Sequence, residues 1–171
     1  VNAAGLHAPA LAAALRCAGE AHDTQVPSPH FARGCYFALQ GQRSPFTRLV
    51  YPVPDPTGAG LGVHATVDLG GLTRFGPNVE WLDELSADAG CGQGELAAER
   101  AAVERAYEVD PAGADGFYAA VRRYWPALQD GALAADYAGI RPKLSRAVED
   151  FRIVTAAQHG VRGLVHLFGV E

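Results

Sequence analysis

Two short runs separated by a pair of glycines decide the fold class of this chain. They are Gly62-Val63-His64-Ala65-Thr66-Val67-Asp68-Leu69 and Leu72-Thr73-Arg74-Phe75-Gly76-Pro77-Asn78-Val79, with Gly70 and Gly71 between them. Period-two patterning and short apolar runs, bounded by glycine and proline, are typical of β-strands. Residues 35–39 and 48–53 show the same character. The four closely spaced runs together predict an antiparallel sheet.

Helical segments surround this sheet along the chain. Residues 6–22 carry apolar side chains at helical spacing, with a proline near the start, and residues 83–108 become helical in their second half with a solvated, charged face. Residues 111–128 form an amphipathic helix whose buried side is marked by Phe117, Val121, Tyr124 and Trp125. Strand character returns at residues 137–144, 151–154 and 161–171. This order predicts an α+β fold with an antiparallel or mixed sheet.

Composition excludes several classes of protein. The 171 residues are 49% apolar with a net charge of -5, which allows a core but provides no basic stripe for a nucleic acid. No window approaches 18 consecutive apolar residues, so no membrane-spanning helix is predicted. Cys17, Cys35 and Cys91 form no CxxC pair, which argues against a disulfide framework or a zinc site and favours a reducing compartment. With no targeting segment visible, we expect a cytoplasmic protein without a metal site.

Both ends of the chain have the character of buried strands. The first residues are Val1-Asn2-Ala3-Ala4-Gly5, the last are Val165-His166-Leu167-Phe168-Gly169-Val170-Glu171, and methionine is absent. Natural termini are usually polar and frayed. We therefore expect the chain to be a piece of a larger protein whose chemistry is shared with residues outside it.

Two glycine-rich stretches are predicted to be turns and not phosphate-binding loops. Residues 58–62 follow a proline-rich turn and enter a strand, and residues 90–94 have no strand before them. A dinucleotide-binding loop needs a strand before its glycines and a helix after them.

Arg141 is a candidate carboxylate ligand. It lies in the otherwise apolar run Tyr137-Ala138-Gly139-Ile140-Arg141-Pro142-Lys143, where we expect the guanidinium to be buried and paired. The planar guanidinium fits a carboxylate through two hydrogen bonds. The residues alone leave two partners open: an organic acid substrate, or an internal Asp or Glu.

His64 is a candidate general base. It lies mid-strand among apolar neighbours, and an imidazole titrates near neutral pH, so it can accept a proton from a substrate hydroxyl. The alternative is a core histidine that is bonded to the backbone. Tyr51 is either a pocket wall or a core residue, and His159 and His166 beside the last strand are weaker candidates.

Six motifs in sequence order resemble one family. They are Val1-Asn2-Ala3-Ala4-Gly5, Arg48-Leu49-Val50-Tyr51-Pro52-Val53-Pro54, Leu61-Gly62-Val63-His64-Ala65-Thr66, Arg74-Phe75-Gly76-Pro77, Gly139-Ile140-Arg141-Pro142-Lys143, and the stretch from His159-Gly160 to Gly169-Val170-Glu171. Each motif is weak alone. The ordered set resembles the FAD-dependent oxidoreductases of the D-amino-acid oxidase superfamily, most closely the L-2-hydroxyglutarate dehydrogenase/oxidase branch. It covers the chain except residues 84–106, which look like an insertion.

The resemblance implies a two-domain enzyme that binds FAD. Residues 1–22 would end a Rossmann-like FAD-binding domain, residues 23–144 would form the substrate-binding domain, and residues 145–171 would return to the first domain. The residues implied to contact the cofactor are Ala3, Ala4, Gly5, Gly169 and Glu171. The sequence departs from the family pattern at His166, where the family has Asn, and in the shortened stretch before Phe151.

The implied activity is oxidation of a small, L-2-hydroxyglutarate-like 2-hydroxy acid to the 2-oxo acid. Arg141 is implied to hold the C1 carboxylate and His64 to accept the hydroxyl proton, while Arg74 faces a second carboxylate or makes a surface salt bridge. The implied partners are the carboxylate substrate, the rest of the FAD-binding domain and a peripheral electron acceptor. The alternatives are amine oxidation of a D-amino acid or glycine, and a non-catalytic binding domain or inactive fragment. We expect the 171-residue chain alone to be inactive.

Overall fold

The structure is a computed structural model that describes residues 1–17, 26–53, 62–85, 93–147 and 149–170. The chain divides into two compact units. The first unit comprises Val1–Ala32, Trp81–Arg105 and Ile140–Glu171, and the second comprises Arg33–Glu80 and Ala106–Gly139. The division of residues 1–22, 23–144 and 145–171 between a cofactor domain and a substrate domain stays a prediction.

Helices and antiparallel strands both occur, which confirms the α+β class. The helices are α1 (Ala8–Cys17), α2 (Gln93–Arg105), α3 (Ala114–Arg122) and α4 (Ala156–His159). The strands are β1 (His30–Leu39), β2 (His64–Val67), β3 (Thr73–Gly76), β4 (Glu80–Trp81), β5 (Leu133–Lys143), β6 (Arg152–Thr155) and β7 (Val165–Phe168). Among the described residues, none of the helices has the length and apolar character needed to cross a bilayer.

Five of these strands form one sheet in the order β2-β3-β1-β4, and β5 also pairs with β1. Both β1 and β2 run antiparallel to β3, with Phe37 opposite Phe75 and His64 opposite Gly76. These strands confirm the strand predictions at residues 35–39, 62–69 and 72–79, although β1 begins earlier than expected.

The strand predicted at residues 48–53 is wrong except at one residue. Val50 forms an isolated antiparallel bridge with Ala65, in which each amide donates to the other's carbonyl oxygen at 2.9 Å. Pro52 has no amide hydrogen with which to extend the pairing. The bridge therefore stays isolated, but it fixes the position of Tyr51 beside β2.

The core of the second unit lies between the sheet and α3. Along β1 the side chains of Cys35, Phe37 and Leu39 are buried in this core, and the Phe37 and Phe117 rings lie 4.6 Å apart. The remaining buried members are Ala65, Phe75, Val121, Leu128, Ala132, Leu133 and Ala138. Because side chains alternate along a strand, Tyr36 points to the opposite face of the sheet.

The first unit contains a smaller sheet, in which β6 and β7 are antiparallel with Val154 opposite His166. Asn2 forms an isolated parallel bridge with His166. Ala8 and Ala12 of α1 pack with Val154 and Phe168 in a buried apolar cluster. The short helix α4 lies between the strands predicted at 151–154 and 161–171, and nothing in the apolar periodicity indicated it.

Candidate active site

A buried histidine surrounded by tyrosine rings is the main feature of the second unit. His64 is 7% exposed at the start of β2. Its neighbour Ala65 belongs to the core against α3, so the alternation of side chains directs His64 to the other face of the sheet. The residue predicted as a general base thus lies outside the main apolar core.

Tyr51 covers this histidine from the neighbouring segment. The Val50–Ala65 bridge brings the two backbones together, and the Tyr51 and His64 ring centroids lie 4.5 Å apart with an interplanar angle of 31°. Tyr51 is 53% exposed. Because it is half open to solvent while it touches His64, its position supports the pocket-wall interpretation over a core role.

Two further tyrosines, neither of them a predicted site residue, extend the same aromatic surface. Tyr36 presents its ring edge-on to His64 at 6.5 Å and stacks on Tyr137 at 4.6 Å with an angle of 14°. Tyr36 lies between the core residues Cys35 and Phe37 on the strand, so it faces away from the core. A large aromatic side chain on the non-core face of a strand is the sequence feature that could have identified it as a site residue. We call Tyr36, Tyr51, His64 and Tyr137 the aromatic site.

A glycine makes room for this arrangement. Gly76 lies opposite His64 in the β2–β3 pairing and has φ 146°, a conformation that L side chains rarely adopt. A Cβ atom there would lie 2.5 Å from the Cys35 carbonyl oxygen and 2.7 Å from Cδ1 of Tyr36. Gly76 is therefore needed for Tyr36 to approach His64.

Tyr124 anchors the backbone just before His64. Its hydroxyl donates a hydrogen bond to the Val63 carbonyl oxygen at 3.2 Å. Burial raises the pKa of Tyr124 to about 12, so the hydroxyl keeps its proton and stays a donor at neutral pH.

Arg141 is exposed, which corrects the expectation that it is buried in an apolar strand. Along this part of β5 the exposed residues are Tyr137, Gly139 and Arg141, and the residues between them are buried or partly buried. The apolar neighbours Ile140 and Pro142 thus occupy the other face, as expected for a period of two. The cost of burying an unpaired charge therefore does not apply to Arg141.

Arg74 is held by two carboxylates. It donates to Asp68 Oδ2 at 2.7 Å and forms a second ion pair with Asp136. Hydrogen bonding from Arg74 lowers the pKa of the Asp68 carboxyl, and the backbone amides of Leu72 and Gly70 lower it further. These contacts support the surface salt bridge over a substrate contact.

Of the residues implied to contact a cofactor, Ala3, Ala4, Gly5 and Gly169 lie at one edge of the first unit. Ala3 and Ala4 are exposed, and Gly5 and Gly169 have φ values of 56° and 73°. Because Asn2 and His166 pair in parallel, the chain leaves both strands at the same end, so residues 3–5 and Gly169 follow the carboxyl ends of the pair. Glu171 lies outside the described residues.

A polar cluster lies beneath this edge. Asn2, His159 and His166 are 3%, 1% and 1% exposed. The side-chain amide nitrogen of Asn2 lies 3.0 Å from Nδ1 of His166, and the two imidazole rings are perpendicular with centroids 5.2 Å apart. Burial lowers the pKa of His166, and the nearby His159 ring lowers it further.

The remaining motifs do not add to these sites. Within the described ranges, no group of three or more His, Cys, Asp or Glu side chains is placed to hold a metal ion. The glycine-rich stretches 58–62 and 90–94 fall mostly outside those ranges. Arg141 belongs to the first unit, whereas His64, Tyr51 and Arg74 belong to the second.

Comparison with known proteins confirms the resemblance drawn from the six motifs. The family profile described as "DAO: FAD dependent oxidoreductase" matches residues 1–171. The chain is 47% identical over 175 residues to the mitochondrial L-2-hydroxyglutarate dehydrogenase of Arabidopsis thaliana. That alignment covers all of this chain and 33% of the relative, so the chain spans about a third of the relative's length.

The expected cytoplasmic location is contradicted by this comparison, since the relative is a mitochondrial protein. The absence of a CxxC pair argues only against an oxidising compartment. It therefore does not separate the cytoplasm from the mitochondrion, and this explains the error.

Proposed function

The chain belongs to the family of FAD dependent oxidoreductases, and from this premise we propose that the protein containing it oxidises a small 2-hydroxy acid of the L-2-hydroxyglutarate type to the 2-oxo acid. The similarity to the Arabidopsis relative, an L-2-hydroxyglutarate dehydrogenase, supports this substrate class. The observation that carries the proposal is the aromatic site, in which the buried imidazole of His64 is bordered by Tyr51 and Tyr36.

The residues at the edge of the first unit fit FAD. Ala3, Ala4 and Gly5 have no bulky side chains, and a Cβ at Gly5 would meet nothing within 4 Å, so a flat ring can approach their backbone. A Cβ at Gly169, in contrast, would lie 3.0 Å from Leu144 Cγ, so this position accepts only glycine without rearrangement. We propose that these backbone segments hold the cofactor. When bound, FAD supplies the two-electron acceptor for a hydride that leaves the substrate.

His64 acts as the general base in this proposal. As the C2–H bond breaks and the hydride leaves, the O–H bond of the C2 hydroxyl also breaks, and the imidazole takes its proton while the C2–O bond becomes the C=O bond of the 2-oxo acid. The rings of Tyr51 and Tyr36 restrict water around the imidazole, which keeps it available to the substrate hydroxyl.

Arg141 holds the C1 carboxylate. Arg141 is an exposed residue of β5, and a guanidinium can donate two parallel N–H hydrogen bonds to a carboxylate, which fixes the orientation of the acid and neutralises its charge. Arg74 is left out of this assignment because Asp68 and Asp136 already pair with it. The reducing equivalents then pass to a peripheral electron acceptor, and the rest of the same protein completes the cofactor site.

The test uses the full-length protein with its bound flavin under anaerobic conditions. L-2-hydroxyglutarate is expected to bleach the flavin absorbance rapidly, whereas D-2-hydroxyglutarate, glycine and D-alanine leave it unchanged. Bleaching by glycine or D-alanine alone would replace the proposal by amine oxidation. A full-length protein that binds no FAD would refute it and favour a non-catalytic domain.

A further inference from the structure

The buried polar cluster of Asn2, His159 and His166 has no part in the reaction proposed above. Its members are nearly inaccessible to solvent, and burying polar groups is costly unless they are hydrogen-bonded. Asn2, one member of this cluster, directly precedes residues 3–5, the turn that leads into the 3-10 helix Gly5–His7. The hydrogen bonds of the Asn2 side chain therefore hold the backbone of this turn in position.

The orientation of the Asn2 amide follows from two backbone contacts. The Ala8 carbonyl oxygen can only accept, so the atom 2.8 Å from it is the amide nitrogen Nδ2. The Ala4 amide can only donate, so the atom 3.3 Å from it is the oxygen Oδ1. Both assignments agree, which leaves one Nδ2 hydrogen for another acceptor.

That acceptor is Nδ1 of His166, at 3.0 Å from Asn2 Nδ2. A nitrogen that accepts a hydrogen bond carries no proton, so His166 is neutral with its hydrogen on Nε2. His159 is in the same state, because its Nδ1 accepts from the Val161 amide at 3.1 Å. The interior of the cluster thus contains two neutral imidazoles with the same tautomer.

We propose that His166 is a positioning residue for the cofactor: its neutral Nδ1 fixes the side chain of Asn2, and Asn2 in turn fixes the turn of residues 3–5. The inference rests on the proposed function in one respect, since it takes this turn to be the segment that holds FAD. Asn2 contacts both sides of the turn, through the Ala4 amide and the Ala8 carbonyl oxygen.

The backbone places Asn2 and His166 together independently of their side chains. The backbone amide of Asn2 donates to the Val165 carbonyl oxygen at 2.8 Å, and the backbone amide of Leu167 donates to the backbone carbonyl oxygen of Asn2 at 2.9 Å. The His166 ring also stacks on Phe168 at 5.3 Å with an angle of 9°. The imidazole is thus held in place on its face and at its Nδ1 edge.

Protonation of His166 breaks this arrangement. An added proton on Nδ1 faces the N–H of Asn2, so two donors oppose each other and the amide must turn away. The titratable group nearest to His166 is His159, and its ring disfavours a positive charge on the His166 ring. Cofactor affinity is therefore expected to fall as the pH drops below the ordinary histidine range.

The test compares two variants in the full-length protein. His166→Asn places an oxygen acceptor on Cγ, where histidine has Nδ1, but does not titrate. His166→Phe keeps the flat ring and removes the acceptor. His30→Asn, at the partly exposed start of β1, is the matched control. Apo protein is titrated with FAD between pH 5.5 and 8.0 by flavin fluorescence, and thermal unfolding is measured alongside.

At pH 7.5 we expect His166→Phe to bind FAD about tenfold more weakly, because one buried donor loses its acceptor. His166→Asn and His30→Asn should stay close to the wild-type affinity. Toward pH 5.5 the wild type and His30→Asn should weaken relative to His166→Asn. A merely structural role would not remove the pH dependence in the Asn variant alone. If His166→Phe does not fold, the comparison with His166→Asn across pH carries the test.

Nitrogen-15 NMR of histidine-labelled full-length protein gives a readout without FAD. We expect the His166 resonance of a neutral ring with its proton on Nε2. A proton on Nδ1 at neutral pH, an unchanged affinity in a folded Phe variant, or the same pH dependence in His166→Asn and wild type overturns the inference. A wild type that binds no FAD refutes the proposed function. Protection of the Ala4 amide from hydrogen exchange then tests the positioning role by itself: it should fall in His166→Phe and stay near the wild-type value in His166→Asn, and equal protection in all three proteins overturns it.

Discussion

The Tyr124 hydroxyl donates a hydrogen bond to the Val63 carbonyl oxygen at 3.2 Å. This contact ties the segment after α3 to the residue before His64, so the core side of the second unit supports the aromatic site on the other face. Tyr124 also packs against the apolar core.

We expect Tyr124→Phe to lower the free energy of unfolding by about 1 kcal/mol, because a partly buried hydrogen bond is lost and the Val63 carbonyl is left without it. Urea unfolding measures this change. Tyr118→Phe is the matched control, because its hydroxyl accepts from the Leu133 amide at 3.0 Å, away from His64. Both variants should lose stability, but only Tyr124→Phe should also slow substrate oxidation. If the two variants oxidised substrate at equal rates, the Tyr124 hydrogen bond would have no role in supporting the aromatic site.

His64→Gln tests the proposed base. In the full-length enzyme the rate of flavin reduction should fall by about 100-fold or more, because the proton acceptor is lost while the polar shape is kept. Substrate affinity should change little. Stopped-flow absorbance under anaerobic conditions measures both quantities. A reduction rate equal to wild type would return His64 to the role of a core histidine.

Much of the fold was predictable because its elements have a clear periodicity. Strands β2 and β3 alternate between glycine boundaries, and α3 buries Phe117 and Val121 on one side, as expected from their spacing of four. The two-residue strand β4 and the four-residue helix α4 are too short to show a period. Around Val50 an apolar run does not form a strand, because Pro52 lacks the amide hydrogen that would extend the pairing beyond the Val50–Ala65 bridge.

The site was less predictable, because it depends on which residues the sheet brings together. His64 and Tyr51 were candidates from their local sequence, but their contact follows from the Val50–Ala65 bridge. Tyr36 and Tyr137 come from β1 and β5, about 100 residues apart in sequence, and no local pattern pairs them. The exposure of Arg141 also reversed the expectation, since apolar neighbours on a strand lie on the opposite face.

Arg141 is expected to determine substrate affinity through its carboxylate. Arg141→Ala in the full-length enzyme should lower kcat/KM by about 30-fold or more, since a charge-assisted pair lost on truncation costs at least about 2 kcal/mol. Arg141→Lys should recover only part, because an ammonium lacks the second aligned donor. Thermal stability and FAD content should stay near wild type. A variant that loses its fold while the surviving enzyme keeps its KM would identify a structural ion pair instead.

The ion pair of Asp68 and Arg74 predicts an acid-dependent stability. The pKa of Asp68 lies below its ordinary value of 3.8 in the folded state, so the folded state binds fewer protons than the unfolded state. The contribution of the ionised Asp68 carboxylate to the free energy of unfolding is present above pH 3.8, and it is lost as the pH falls through the folded-state pKa. Arg74→Gln should raise the pKa of Asp68 toward 3.8, measured by carboxyl carbon NMR. Arg100→Gln, which removes only the exposed pair with Glu104, should leave it unchanged.

Gly76→Ala is expected to disrupt the aromatic site from the backbone side. The φ of 146° disfavours alanine, and the new Cβ would lie 2.5 Å from the Cys35 carbonyl oxygen and 2.7 Å from the Tyr36 ring. Strain and overpacking together should lower the free energy of unfolding by about 2 to 4 kcal/mol. Gly139→Ala is the control, because a Cβ there meets nothing within 4 Å and its φ is not in the positive region. Thermal and urea unfolding should show a large loss of stability for Gly76→Ala and little change for Gly139→Ala.

Because Gly76 lies opposite His64, any folded Gly76→Ala protein should also reduce its flavin more slowly. Wild-type stability in Gly76→Ala would mean that Tyr36 does not need the space beside His64.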